Sequence, residues 1–277
     1  MYGEIFNLYN RCFPDFQLEQ GSFYELLELE TAEIFRTCEN ERLTGFAIVR
    51  GNAIVLLCVD EAYRNKGLGS GLLQKSEDFI KSKGAEKIIL GNAPRYIFQG
   101  VPDKDPRVVE FFKKRGYSAE WTSSNLHLEL DDFDIYKLNI PEKPDTVSFR
   151  MAEENDRPAL MRAVKYTDEK WVGIYENLDA PVMLAVQNDE IIGMQILDPV
   201  GARFPIKGKK TAQIGCVGIV PKARKQGIGM RMVVEGALWL KDRGCNSAEL
   251  RYSALDDWYA KVGAYITDRQ WMGEKNI

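Results

Sequence analysis

The sequence predicts an α+β (mixed α/β) protein of two tandem domains, each a central mixed, mostly antiparallel sheet flanked by helices. Three observations predict it. The string Arg64-Asn65-Lys66-Gly67-Leu68-Gly69 returns as Arg224-Lys225-Gln226-Gly227-Ile228-Gly229, 160 positions later (224 against 64). The register continues past the glycines: Lys81-Ser82-Lys83-Gly84 matches Lys241-Asp242-Arg243-Gly244, and Leu90 matches Leu250. Each motif also follows an apolar run, 53–59 or 214–220, and opens an amphipathic stretch. Strand, glycine turn, helix, terminal glycine and next strand thus repeat without a gap, which is a duplicated domain rather than a solenoid. The 277 residues suffice for two domains of ordinary size.

In the first half, residues 1–16 read as a helix with Ile5, Leu8, Tyr9 and Cys12 on one face. Strands follow at 33–37, 45–49 and 53–59, with turns near Glu39-Asn40 and Gly51-Asn52. Residues 70–83 form a helix that turns Leu72, Leu73, Phe79 and Ile80 inward and stops at Gly84. A strand at 87–90, a proline- and glycine-broken loop at 92–105, a short helix at 108–115 closed by Gly116, and a strand at 124–130 complete this half. The domain opens on its helix, without a leading strand. Pro141 and Pro144 mark 140–146 as a linker between domains at 1–139 and 147–277.

The second half repeats the theme. It reads as strand 147–151, helix 154–167, strands 182–186 and 191–197 around Asn188-Asp189-Glu190, and a loop at 198–211. The strand to Val220, helix 230–241, strand 247–252, helix 256–262 before Gly263, and strand 264–270 follow.

Composition excludes several classes. A net charge of −4 gives no reason to expect nucleic acid as a partner. No run of about 18 apolar residues exists to span a membrane, and the N-terminus has no signal-peptide pattern. The five cysteines, Cys12, Cys38, Cys58, Cys216 and Cys245, are scattered, and no Cys/His cluster suggests a metal. A reducing cytoplasm fits this usage. The sole histidine, His127, lies in an alternating strand pattern and reads as structural. The basic stretch 207–210 reads as a solvated loop.

The glycine motifs carry the chemistry. Glycine lets backbone approach a ligand closely, and a helix start offers unpaired N–H groups and a positive dipole end to an anion. Each motif is therefore an anion cradle suited to a pyrophosphate. The strand-then-Arg-x-x-Gly-x-Gly order resembles the GNAT N-acetyltransferase superfamily, of the bacterial tandem two-domain kind. The stretch Val217-Gly218-Ile219-Val220-Pro221-Lys222-Ala223 leading into Arg224 is similar to that family's acyl-CoA signature. Trp258-Tyr259-Ala260-Lys261-Val262-Gly263 resembles its second motif, with Phe111-Phe112-Lys113-Lys114-Arg115-Gly116 as the first-half counterpart.

The resemblance implies acetyl-CoA as cosubstrate, a primary amine of a small molecule or peptide as acceptor, direct attack, and no metal. It implies that backbone N–H groups of Arg64, Asn65, Lys66, Gly67, Leu68, Gly69 and Ser70 hold one pyrophosphate. Those of Arg224, Lys225, Gln226, Gly227, Ile228, Gly229 and Met230 hold another. Cys58 and Val59, and Val217, Gly218 and Ile219, pair with pantetheine amides in the manner of an added strand. Tyr259 matches the family's proton donor for the leaving thiolate, whereas Phe112 at the aligned place has no proton to give, which favours the second domain as catalytic. No acid lies on the strand before Val220 where many relatives keep one; Asp256 and Asp257 read as first-turn helix acids. Two alternatives stay open: catalysis in the first domain, with Tyr96 of the loop 94–102 as acid, and a non-catalytic acyl-CoA sensor or scaffold. Oligomeric state is not encoded in any motif.

Overall fold

The computed structural model describes residues 2–92 and 96–277. Pro94 and Arg95, which open the aromatic loop 94–102, lie outside the described residues, as do Met1 and Ala93. In chain order the elements are α1 (Tyr2–Cys12), α2 (Gln20–Leu27), β1 (Glu33–Glu39), β2 (Arg42–Arg50), β3 (Ala53–Val59), α3 (Leu68–Ser82), β4 (Lys87–Leu90), β5 (Val101–Pro102), α4 (Pro106–Lys113) and β6 (Thr122–Glu129). They continue as β7 (Val147–Met151), α5 (Arg157–Thr167), α6 (Val172–Glu176), β8 (Val182–Gln187), β9 (Glu190–Asp198), β10 (Thr211–Ile219), α7 (Ile228–Lys241), β11 (Ser247–Ser253), α8 (Asp256–Ala260), β12 (Tyr265–Trp271) and β13 (Glu274–Asn276).

Most of these follow from local chemistry. Gly84, Gly116, Gly244 and Gly263 close helical segments at φ of 78°, 87°, 74° and 89°, where a side chain would be strained. Asp105 caps α4 by accepting from the Arg107 N–H, with Pro106 at the first helical position. The helix expected over 1–16 ends at Cys12, because Pro14 disfavours helical backbone at Phe13. Both long helices begin at the residue after the first motif glycine, Leu68 and Ile228, earlier than the hydrophobic pattern alone places them.

The chain forms two compact units. The first contains residues 1–124 and 268–277; its sheet runs β1-β2-β3-β4-β13. β1, β2 and β3 are antiparallel, β3 and β4 parallel, and β4 and β13 antiparallel. β5 pairs with the end of β12 at Val101↔Trp271 and Pro102↔Gln270. Its core gathers Val49, Ile54, Leu73, Ile80, Ile88 and Phe112, among others.

The second unit contains residues 125–267. Its sheet runs β12-β6-β11-β10-β9-β8-β7, antiparallel from β7 to β10 and parallel between β10 and β11. Its core includes Leu184, Met194, Ile214, Val233, Ala237 and Leu250. The compact units therefore differ from the contiguous segments 1–139 and 147–277. The chain end joins the first unit, and residues 125–139 join the second. The segment boundaries remain a proposal about the duplication itself.

The chain end is fastened by charge. Lys275, next to the last position of β13, donates to both carboxylate oxygens of Glu77 on α3, at 3.1 and 3.0 Å, and the Tyr117 hydroxyl donates to Glu77 Oε1 at 3.0 Å. Glu77 is buried in the middle of the helix that starts at the first cradle. Removing one partner of a buried pair leaves a charge without its counterion. Lys275→Met is expected to lower unfolding free energy by roughly 2 kcal/mol, read as a lower denaturation midpoint. Tyr117→Phe is expected to cost about half as much.

A second ion pair gives a pH signature. Arg150 donates to both oxygens of Asp156, and the Glu153 N–H donates to Asp156 as well. The Arg150 hydrogen bonds, then the Glu153 N–H, pull the Asp156 carboxyl down to about 2. A depressed folded value adds stability above the unfolded carboxyl's ordinary value near 3.9, lost as pH falls towards about 2. Asp156→Asn is expected to cost about 1 kcal/mol at neutral pH, Arg150 being partly exposed, and nothing at the acid end of an unfolding series.

Candidate active site

Two cradles share one backbone. In the first, Asn65 and Gly67 take left-handed conformations at φ of 62° and 83°; in the second, Lys225 and Gly227 do so at 64° and 78°. Arg64 Nε donates to the Val59 carbonyl at 3.0 Å, and Arg224 Nε to that of Ile219 at 2.9 Å. Each arginine ties the turn back to the strand it left. The two left-handed positions wind the chain so that α3 and α7 start directly behind the turn, with their first N–H groups turned outward.

The second glycine of each motif has a packing role. A Cβ on Gly69 would lie 3.6 Å from Phe111, and one on Gly229 3.2 Å from Trp258. The aromatic residue of each second motif thus rests on the helix start. Arg115 strengthens this in the first unit: it lies 3.8 Å over the Phe111 ring and donates to Ser70 Oγ at 2.6 Å. That places a cation beside the cradle. Arg115 was visible in sequence only as the residue before Gly116; its reach to Ser70 depends on the approach of α4 to α3.

Strand alternation decides which backbone faces the ligand side. The Asp60 N–H donates to Thr44 on β2 at 2.9 Å, so Asp60 faces β2 and Val59 faces away, as Arg64 confirms by bonding its carbonyl. Cys58 then turns its backbone to β2. In the second unit Val220 N–H donates to Ile192 on β9 at 2.9 Å; Ile219 faces away and Gly218 faces β9. Val59 and Ile219 lie opposite Gly45 and Gly193 in the ladders but turn their backbone N–H and C=O away from β2 and β9, while Val217, Gly218 and Cys58 flank them.

The cradles differ in what covers them. Gly67 is exposed, with no atom near its missing Cβ. It lies on a cleft of about 1180 Å³, wholly within the first unit, that runs along residues 54–59 of β3. Among the described residues β3 and β4 pair at Ala53↔Ile89 and Ile54↔Leu90, and the cleft begins where the strands diverge. Phe13, Phe16 and Phe98 form an aromatic wall, with ring centroids 4.9 and 5.1 Å from Phe98. Arg64, Lys104, Arg107 and Arg115 bring positive charge to the lining, with Lys104 paired to Asp15 and Arg107 to Asp105. From the loop after β4 the lining residues are Gly91, Phe98 and Gly100, and Tyr96 is not among them.

In the second unit the linker lies on the cradle. A Cβ on Gly227 would lie 2.8 Å from Pro141 Cβ and 3.2 Å from the Glu142 carbonyl oxygen. Arg231 Nε donates to the Pro141 carbonyl at 3.1 Å. Two carbonyl oxygens thus stand close to a turn suited to an anion.

Tyr259 is buried against the second unit's core, its ring 4.7 Å from Trp258. Burial, and then the nearby Cys216, push its hydroxyl well above the ordinary tyrosine value, so it holds its proton. Cys216 sits at φ 45° in a bulge of β10, and Tyr175 donates to its carbonyl at 3.1 Å. Burial pushes the Cys216 thiol up to about 12. His127 is buried on β6 and burial lowers it, consistent with a neutral structural histidine. Asp256 and Asp257 form the first turn of α8, and Lys209 pairs with Glu129.

Among the described residues no group of three or more His, Cys, Asp or Glu could hold a metal ion, and no helix is long and apolar enough to cross a membrane. The residues around the first cradle fit an acyl-CoA: an open glycine turn, a free strand edge and clustered cations.

Duplicated strand–turn–helix cradles on mixed sheets define a tandem protein of the GNAT type. The chain belongs to the acetyltransferase (GNAT) family, which it matches over residues 2–117 and 134–263. No curated protein matches the sequence. Among solved structures, a region of a fungal multi-domain GH3 β-N-acetylglucosaminidase, described as a GCN5-related glucosamine N-acetyltransferase region, is similar at a TM-score of 0.84 and 21% identity. The match covers 99% of this chain and 36% of that one, so the chain spans about a third of the fungal protein's length. A GCN5-related N-acetyltransferase from Sphaerobacter thermophilus matches at a TM-score of 0.74 and 19% identity, over 99% and 91% of the two chains. A tandem GNAT protein from the clavulanic acid biosynthesis pathway matches at 0.71 and 12%, over 99% and 94%. At these identities the likeness is one of fold.

The unequal covering of the cradles has a direct test. Alanine at either glycine carries the left-handed strain of about 1 kcal/mol. Gly227→Ala must also displace Pro141, so it is expected to destabilise more than Gly67→Ala and to speed proteolysis within 140–146. Equal midpoints and equal linker cleavage would show that the linker does not rest on the second cradle.

Proposed function

We propose that the protein transfers an acetyl group from acetyl-CoA to a primary amine, with the donor held in the first unit. The observation that carries this reading is the contrast between the cradles: Gly67 is open to a cleft and Gly227 lies against the linker. In this reading backbone N–H groups of residues 65–70 hold the pyrophosphate, the Arg64 N–H being bonded to the Glu61 carbonyl; Arg115 adds charge at Ser70, and Val59 offers its N–H to the pantetheine arm, its carbonyl accepting from Arg64. The donor supplies an activated thioester carbonyl. The chain's residues orient it and exclude water along the wall of Phe13, Phe16 and Phe98. The acceptor to test first is an amino sugar, because the fungal region with the same fold is described as a glucosamine N-acetyltransferase. A cytoplasmic setting accords with five free cysteines.

A second reading keeps the chemistry in the second unit, and Tyr259 favours it. That hydroxyl is protonated and lies near the Cys216 bulge, whereas Phe112 has no proton to supply. For it to serve as acid the linker must first leave Gly227.

A calorimetric titration of acetyl-CoA separates the two. One equivalent is expected, lost in Gly67→Glu and kept in Gly227→Glu. Turnover with glucosamine, followed as free thiol, is expected to survive Tyr259→Phe. Loss of binding in Gly227→Glu together with at least a tenfold fall in turnover of Tyr259→Phe (about 1.4 kcal/mol of barrier) would transfer the activity to the second unit. No binding at all would leave a structural member of the fold.

A further inference from the structure

Two thiols meet inside the first unit's cleft, and the proposed chemistry uses neither. Cys12 is the last residue of α1, and Cys58 lies one residue before the end of β3. Both line the cleft. The Cys12 thiol donates to the Val59 carbonyl at 3.6 Å, on the strand edge offered to the donor. Cys58 immediately precedes Val59, so this contact sets the end of α1 against the end of β3 that carries the second thiol.

The pair is unequal in two independent ways. Cys12 is partly exposed, while Cys58 is 2% exposed and sits behind it. The Cys58 hydrogen bond, and then the Arg64 guanidinium, favour a thiolate at Cys12 against its burial and the Asp60 carboxylate. Burial, and next the neighbouring Cys12, push the Cys58 thiol up. An accessible thiol in front of a buried one is the order needed for an attacking and a resolving cysteine.

We propose that Cys12 is a site of thiol–disulfide exchange for disulfides of the coenzyme A class that dock on the first cradle, with Cys58 as the resolving thiol. This rests on the reading that the cleft takes a CoA ligand. The Cys12 thiolate attacks one sulfur of CoA disulfide; a Cys12–S–S–CoA bond forms, the CoA disulfide bond breaks, and one CoA leaves as thiolate and is protonated by water. Cys58 then loses its proton to solvent and attacks the Cys12 sulfur. A Cys12–Cys58 disulfide forms and the second CoA leaves. Two protein thiols are oxidised, and one CoA disulfide is reduced to two CoA thiols. The consequence is a donor cleft that senses oxidation of the CoA pool through the same phosphate contacts that hold its substrate.

The test mixes reduced protein with CoA disulfide and follows intact mass and released CoA thiol. Wild type is expected to release two CoA thiols per chain and end two hydrogens lighter, with the bond mapped to Cys12 and Cys58. Cys58→Ser, or Cys58→Ala should the hydroxyl disturb the core, is expected to stop at a stable Cys12–CoA mixed disulfide with one thiol released. Cys12→Ser is expected to yield neither product. Docking raises local concentration, so CoA disulfide is expected to react at least about tenfold faster than glutathione disulfide, and Gly67→Glu is expected to erase that preference. Equal rates for the two disulfides, an adduct on exposed Cys38 as fast as on Cys12, or no mixed disulfide in either Cys58 variant would overturn the proposal. A calorimetric titration of CoA into reduced wild type runs alongside. Binding without an adduct sinks the thiol proposal alone, and no binding sinks it together with the donor reading.

Discussion

An α-helix begins with backbone N–H groups that nothing inside it can satisfy. The architecture of this protein follows from leaving that end open at the edge of a parallel strand pair. β3 must stop pairing with β4 well before the turn, because a strand bonded on both sides would fill the groove. It does so after Ile54↔Leu90. The turn must reverse the chain within a few residues, which demands left-handed backbone at Asn65 and Gly67. The arginine that opens the turn then bonds the last free strand carbonyl, so the loop cannot fold over its own N–H groups. The second glycine admits Phe111 close to the helix, which fixes the helix axis relative to α4. Each residue type in the motif answers a separate steric or hydrogen-bonding demand, and the same answers recur at Arg224 through Gly229.

A cradle is only as rigid as the helix behind it. In the first unit that helix is steadied from the far end of the sequence. β13 adds the strand beside β4, and its Lys275 reaches the buried Glu77 on α3. The last ten residues thus belong to the unit formed by the first 124. The long separation slows formation of these contacts, since the loop they close costs entropy before they form.

Much of the fold was legible because the duplication supplied its own control. Hydrophobic periodicity gave the central strands and long helices, and repeated terminal glycines gave their ends. What escaped was short or non-local. α2 carries Gly21 and Ser22 in its first turn, which lowers its local helical signal. β5 and β13 span two and three residues and are strands only because β12 and β4 lie beside them. The two glycine turns were readable from type and spacing. Arg115 was not, because its role depends on Ser70, 45 positions away. The meeting of Cys12 with Cys58 was equally hidden, since only the packing of α1 on β3 brings two scattered cysteines together.

The two copies show how duplicated sites diverge without changing their motif. Backbone torsions, the arginine bond to the strand and the glycine contact with an aromatic are shared. The differences lie in what reaches each cradle from elsewhere. At Gly227 the intruder is the linker, whose carbonyls turn negative ends towards a turn that favours anions and whose Pro141 is held by Arg231. At Gly67 the neighbours are cations, aromatic rings and a thiol pair. A motif search weights the shared part and ranks the copies as equals, or prefers the second for its longer match. The copies differ through residues outside the motif: Pro141 Cβ and the Glu142 carbonyl oxygen lie 2.8 and 3.2 Å from the place a Cβ on Gly227 would take, while no atom lies within 4 Å of that place on Gly67.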